Sequence, residues 1–170
     1  MNIVLCGMMG SGKTTIGIRL ADLTGLRWYD TDDLITEKYG KISDIFEFYG
    51  EERFREMETE MVKRVAEEDG AVISTGGGCV LRTENCVLLK EKGKIVYLKV
   101  PIETLFSRAG HTGEERPLLK NATFNKMKEL LESRTPIYEG CADYTVNTDG
   151  KDVDEIAREI CTALGVTVKE

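Results

Sequence analysis

The chain has 170 residues, 41% hydrophobic and 31% charged, which suits one globular domain spanning 1–170 and leaves little room for two. Its net charge of −7 offers no basic footprint for duplex nucleic acid. No apolar run approaches the roughly 20 residues of a membrane helix, and residues 3–6 lack the charged lead-in and the length of a signal peptide.

In chain order, Ile3-Val4-Leu5-Cys6 reads as a buried strand. Ile16, Leu20 and Leu23 follow at i, i+4 and i+7, a helix face that Gly25 ends. Residues 26–30 read as a second strand. Ser43 is placed to cap a short helix through Phe48, and Phe54, Met57, Met61 and Val65 mark a longer one. A third strand over 71–74 runs into Gly76-Gly77-Gly78. A helix over 83–92, a strand over 95–98 and a helix over 102–108 come next. Phe124, Met127, Leu130 and Leu131 mark another helix. Arg134, just before Thr135-Pro136-Ile137-Tyr138, is placed to end it, where a positive charge suits the dipole. A weak strand over 144–146 precedes an amphipathic helix carrying Val153, Ile156, Ile160 and Leu164. This alternation predicts an α/β fold whose parallel sheet is covered on both faces. Ligands then bind outside the carboxyl ends of the strands.

Five cysteines, Cys6, Cys79, Cys86, Cys141 and Cys161, form no C-x-x-C pair, so no zinc site is expected. They read as thiols in a reducing compartment, mostly buried as small apolar residues. The single histidine, His111, lies in a Gly-rich polar stretch and reads as a surface residue.

Residues 7–14, Gly-Met-Met-Gly-Ser-Gly-Lys-Thr, fit G-x-x-x-x-G-K-[ST] between a strand and a helix. Glycines let the backbone amides turn around phosphate oxygens, and the helix start adds its positive dipole end. Lys13 can then bridge phosphates, and the Thr14 hydroxyl can ligate Mg²⁺. Asp30-Thr31-Asp32-Asp33 has two readings, a helix cap with Asp30 at N-cap, or carboxylates for a metal and for substrate hydroxyls. Arg55 and Glu58 are three apart on a helix, either a solvated pair or a guanidinium held for a substrate carboxylate. The triple glycine is either a tight turn or a backbone facing a ligand. Residues 109–122 are polar and glycine-containing, long enough to form a lid that excludes water, with Arg116 able to reach a transferring phosphoryl group.

Together these segments resemble the shikimate kinases, small members of the nucleoside-monophosphate-kinase-like P-loop family. The resemblance spans about residues 2–165 and rests on GMMGSGKTT, DTD, SDIF with FRxxE, GGG, RPLL and RTPIY in order. It implies a three-layer P-loop kinase fold with a five-stranded parallel sheet of order 2-3-1-4-5 and helices on both faces. It implies an acceptor-binding region over about 31–65 and a lid over about 109–122. The activity implied is transfer of the ATP γ-phosphate to the 3-hydroxyl of shikimate with Mg²⁺, in aromatic amino-acid biosynthesis. By position, Gly10, Ser11, Gly12, Lys13, Thr14 and Thr15 hold the nucleotide, and Arg108 stacks on adenine near the loop 147–151. Thr14 ligates the metal and Asp30 assists. Asp32 holds the shikimate hydroxyls and is the candidate base. Arg55 and Arg134 take the carboxylate, Glu58 orients Arg55, and Gly76, Gly77 and Gly78 line the pocket. Lys13, Asp32 and Arg116 form the catalytic set. Paired arginines suit a monocarboxylate better than the uncharged acceptor of a sugar kinase, and a nucleotide-binding switch needs no acceptor pocket. The expected setting is a cytoplasmic monomer binding ATP and shikimate, with no nucleic-acid or membrane partner.

Overall fold

The computed structural model of the chain describes residues 1–109 and 124–169. His111, Arg116 and the expected lid beyond Ala109 lie outside them. Five strands are present: β1 (Asn2–Cys6), β2 (Arg27–Asp30), β3 (Ala71–Ser74), β4 (Gly93–Lys99) and β5 (Tyr144–Asn147). They form one parallel sheet in the order β2-β3-β1-β4-β5, as the resemblance implies. Central β1 pairs Val4 with Ile73 on one side and with Ile95 on the other.

Side chains of a strand alternate between faces, so β1 feeds two cores. Val4 and Cys6 join Ile73, Ile95 and Tyr97 on one face, and Ile3 and Leu5 join Val72, Val96, Leu98 and Val146 on the other. The second face is covered by α1 (Lys13–Thr24) and α7 (Val153–Leu164), through Ile16, Leu20, Ile156 and Ile160. The first is covered by α2 (Thr31–Tyr39), α3 (Ile42–Ala66), α4 (Thr83–Glu91), α5 (Ile102–Ala109) and α6 (Phe124–Cys141). A short 3-10 turn, Cys79–Leu81, connects the triple glycine to α4.

Three expectations need correction. Ser43 lies inside α3 rather than capping a separate helix. The expected short and long helices abut at Gly50, whose φ of 82° and ψ of 171° break the helical path. Arg134 does not end its helix. α6 continues through Pro136 to Cys141 because Met127, Tyr138 and Cys141 bury one continuous face. Proline offers no N–H to the preceding turn, and beside it the Thr135 hydroxyl donates to the Leu131 carbonyl at 2.7 Å. Finally, Cys86 of α4 and Cys141 of α6 are joined as a disulfide, so only Cys6, Cys79 and Cys161 are the buried thiols expected.

Candidate active site

All five parallel strands deliver their carboxyl ends to one edge, and the loop after β1 lies there. Gly10 and Gly12 have φ of 85° and 96°, the left-handed region that favours glycine. Lys13 folds its ammonium back over the loop, donating to the carbonyls of Gly7 at 2.6 Å and Met8 at 3.2 Å. Beside it the Thr14 hydroxyl donates to Asp30 Oδ2 at 3.0 Å. The other Asp30 oxygen accepts from the amides of Asp32 at 2.9 Å and Asp33 at 3.3 Å, capping α2. Capping and the functional placement therefore coexist on one carboxylate. A second link holds this end of α1 to the sheet. The Trp28 indole N–H donates to Ser74 Oγ at 3.0 Å, and that hydroxyl donates to the Lys13 carbonyl at 2.6 Å.

The donor set fits Mg²⁺. Among the described residues no three His, Cys, Asp or Glu side chains converge into an all-protein cage. Mg²⁺ instead favours one or two oxygen ligands plus phosphates and water. The adjacent Thr14 hydroxyl and Asp30 carboxylate, at the mouth of a phosphate loop, are such a pair.

The neighbouring pocket is built from buried charge. Arg55 and Glu58 on α3 are 8% and 0% exposed, so their pairing is not a solvated surface bridge. Arg55 Nη1 donates to Glu58 Oε1 at 2.9 Å and Nη2 to Glu51 Oε1 at 3.3 Å. Burial works against the Arg55 charge, but Glu58 and Glu51 more than offset it and hold the guanidinium ionised. Burial pushes the Glu58 carboxyl up, with Arg55 opposing. Burial likewise raises the Asp32 carboxyl to about 7, helped by the nearby charges of Glu58 and Asp30.

Gly76 and Gly78 are glycines because charged groups occupy the space a side chain needs. A Cβ on Gly76 would lie 2.7 Å from Asp32 Oδ1 and 2.9 Å from Glu58 Oε2. One on Gly78 would lie 2.5 Å from the Arg55 nitrogens, and one on Gly77 would lie 3.5 Å from Arg134 Nη1. Asp32 Oδ1, Glu58 Oε2 and Arg134 Nη1 are buried without a hydrogen-bond partner in the described structure. Buried polar atoms are normally satisfied. Two acceptors and a cationic donor left open around one glycine backbone mark a place for a ligand bearing hydroxyls and a negative charge.

One cavity of about 600 Å³ joins both halves. Gly10, Ser11, Gly12, Lys13, Thr14 and Thr15 line it together with Asp30, Asp32, Arg55, Glu58 and the three glycines. Arg134 is not part of that lining and stands behind Gly77. Arg108 lines the opposite end with Thr148 and Lys151, and its Nη1 donates to the Gly10 carbonyl at 2.8 Å. The structure thus brings the expected site residues to one cavity, except Arg134, which stands behind Gly77, and Arg116, which lies outside the described residues. Sequence reasoning missed Glu51, although its i, i+4 spacing to Arg55 was a readable signal. It also missed Thr31, whose hydroxyl accepts from the Gly76 amide at 3.1 Å, and Met9, Ile42 and Phe46 in the cavity wall. Met9, Thr31 and Phe46 fall inside GMMGSGKTT, DTD and SDIF, at positions whose roles those motifs do not specify, and Ile42 lies outside them.

A phosphate loop between the central strand and its helix, a sheet of order 2-3-1-4-5 and an adjoining pocket of buried charge define a P-loop kinase fold with a small-acceptor site. The model of the family described as shikimate kinase matches residues 9–165. The chain belongs to that family. It is 48% identical to the shikimate kinase of Moorella thermoacetica over 164 residues, covering 96% of this chain and 94% of the relative. It is 44% identical to that of Geobacter sulfurreducens, covering 95% and 89%. Among solved structures, shikimate kinase from Acinetobacter baumannii in complex with shikimate superposes with a TM-score of 0.91 at 37% identity, covering 96% of this chain and 92% of the other. Shikimate kinase from Aquifex aeolicus gives 0.81 at 35% identity, covering 97% and 96%.

Proposed function

We propose that this protein transfers the γ-phosphoryl group of ATP to the 3-hydroxyl of shikimate, giving shikimate 3-phosphate and ADP in aromatic amino-acid biosynthesis. The observation that carries this reading is the meeting of buried Arg55, Glu58 and Arg134 with the half-buried Asp32 around the triple glycine, in continuity with the phosphate loop. Shikimate is a monocarboxylate with three hydroxyls. Arg55 and Arg134 take its carboxylate, and Glu58 keeps Arg55 aimed. Asp32 accepts from its hydroxyls. The glycines let the ring approach the backbone.

Phosphoryl transfer depends mainly on positioning and charge neutralisation. The loop amides of Gly10, Ser11 and Gly12, with Thr15, seat the phosphates. Lys13 leaves its loop carbonyls to reach them. Thr14 and Asp30 hold Mg²⁺, which supplies further neutralisation of phosphate charge when bound. The acceptor oxygen forms the new bond to phosphorus as the bond to the β–γ bridging oxygen breaks. Asp32 stands at that hydroxyl as the candidate base, with its proton affinity tuned near neutrality. Arg108 flanks the adenine, and Arg116, outside the described residues, is assigned to the transferring phosphoryl group. One chain carries both subsites, and we assign a monomer. Among the described residues no helix is long and apolar enough to cross a membrane. We place the protein in the cytoplasm, acting on small molecules and not on nucleic acid.

The test is a coupled ADP-release assay with ATP and Mg²⁺ against shikimate, gluconate, nucleoside monophosphates and no acceptor. Release with shikimate alone is expected. Release with another acceptor overturns the pocket reading, and failure of every acceptor to stimulate release overturns the kinase reading.

A further inference from the structure

Tyr138 lies one helical turn beyond Arg134 on α6, so the two side chains leave the same face. Its ring is fully buried and stacks on Tyr97 of β4, with centroids 5.0 Å apart. A buried phenol needs a partner. Here the hydroxyl donates to the carbonyl of Gly77 at 2.5 Å. Gly77 is also the glycine that Arg134 Nη1 faces. One phenol therefore ties the helix bearing this arginine to the backbone opposite it.

Three consecutive glycines have no side chains to fix their own path, and glycine has the most backbone freedom to lose. The ends of the segment are held elsewhere. The Gly76 amide donates to Thr31 Oγ1 at 3.1 Å, and the Cys79 amide donates to the Gly76 carbonyl at 3.1 Å. Between them the Gly77–Gly78 peptide is held at its carbonyl by Tyr138. Because a peptide unit is planar and trans, fixing that carbonyl also fixes the Gly78 N–H in the opposite direction. Burial pushes the phenol's pKa up, with the neighbouring Arg134 opposing, so the hydroxyl remains a donor at working pH.

We propose that Tyr138 is a positioning residue for acceptor binding, its hydroxyl locking the Gly77–Gly78 peptide in register with Arg134 so that backbone and guanidinium meet the acceptor together. The proposal rests on the acceptor-pocket reading given above. It adds a residue outside the cavity lining that acts through two groups assigned to the acceptor.

The test uses Tyr138→Phe, which keeps the ring, its burial and the Tyr97 stack and removes one oxygen. Steady-state kinetics of the full chain are expected to show KM for shikimate raised about tenfold, in line with loss of one buried hydrogen bond. KM for ATP stays within about twofold and kcat changes little, the pattern of lost acceptor binding. Arg134→Ala and the double variant are measured in parallel. If Tyr138 acts through the register of Arg134, the double variant binds shikimate little worse than Arg134→Ala alone. An unchanged shikimate KM in Tyr138→Phe, with Arg134→Ala impaired, overturns the proposal, whatever happens to the melting temperature. Fully additive effects overturn it too. If Arg134→Ala is itself without effect, the pocket reading fails instead, and the two failures are told apart.

Discussion

Glu58 commits one carboxylate oxygen to Arg55 and leaves the other buried and open, so the pair is held for a third party. Breaking a buried pair by removing one partner strands the other charge and costs about 3–5 kcal/mol, whereas replacing both by apolar groups is often neutral. Arg55→Ala is therefore expected to lower the melting temperature by about 10 °C and to abolish measurable shikimate saturation. Arg55→Met with Glu58→Leu should recover most of the melting temperature and none of the turnover, as thermal melts and the coupled assay will show. Equal recovery of both would mean that the pair serves stability alone. Asp32 makes a pH-dependent case. Its folded pKa of about 7 lies above the usual carboxylate value of 3.8, so the folded chain holds that proton more tightly than the unfolded chain does. Stability should fall as pH rises through that interval, by the sign of proton linkage. Without ligands, Asp32→Asn should melt above the wild type at pH 8, with the gap closing toward pH 4. A gap that is constant with pH would show that folding does not raise the Asp32 carboxyl. Neither residue announced its environment in the sequence. The Arg55–Glu58 spacing was visible, but a surface pair and a buried pair have the same spacing.

At the scale of elements, α1 carries both Lys13 and Thr14, so its seat on the sheet sets the phosphate site. Gly17 makes that seat close. A Cβ there would crowd Ser74 Oγ, which bonds the start of the helix, and come within 2.7 Å of Trp28 Nε1, which donates to that hydroxyl. In an exposed helix, Gly→Ala stabilises by about 1 kcal/mol. Here Gly17→Ala should destabilise by about 1–3 kcal/mol through overpacking. It should also raise KM for ATP more than KM for shikimate, a split that steady-state kinetics will resolve. An unchanged ATP KM would detach the Trp28–Ser74 link from the phosphate site. The core face of α1 was readable because Ile16, Leu20 and Leu23 repeat at helical spacing. α6 was misread at its end because Pro136 is a local stop signal, and the packing of Met127, Tyr138 and Cys141 overrides it. Tyr138 itself was legible only as part of RTPIY. Its partner is a carbonyl 61 residues earlier, and backbone partners leave no trace in side-chain patterns. The Cys86–Cys141 pairing, across 55 residues, could not be read either, because cysteine spacing does not fix connectivity.

For the whole molecule, both subsites open into one cavity on one sheet edge, so each substrate braces the same cooperative unit. Shikimate and ADP, each at about 100 times its dissociation constant, should each add about 2.7 kcal/mol. That shifts a single melting transition up by about 5–10 °C for a chain of this size. Two transitions, or a shift with ADP only, would contradict a shared unit. The layered α/β class followed from alternation of strands and helices, but the strand order came from family resemblance, because parallel neighbours lie far apart in sequence. That order has a consequence for synthesis. Among the five strands of this sheet β1 is made before the others, it is the central one, and its partners are β3 and β4. Val4 must wait for Ile73 and Ile95 before either flank is satisfied. At roughly 5–20 residues per second on the ribosome, an apolar strand with two open edges persists for several seconds before its first partner is even polymerised. A strand buried at every position in the finished sheet is therefore the one that waits longest for partners while the chain is being born, and aggregation during expression is expected to start there rather than at the sheet's final edges.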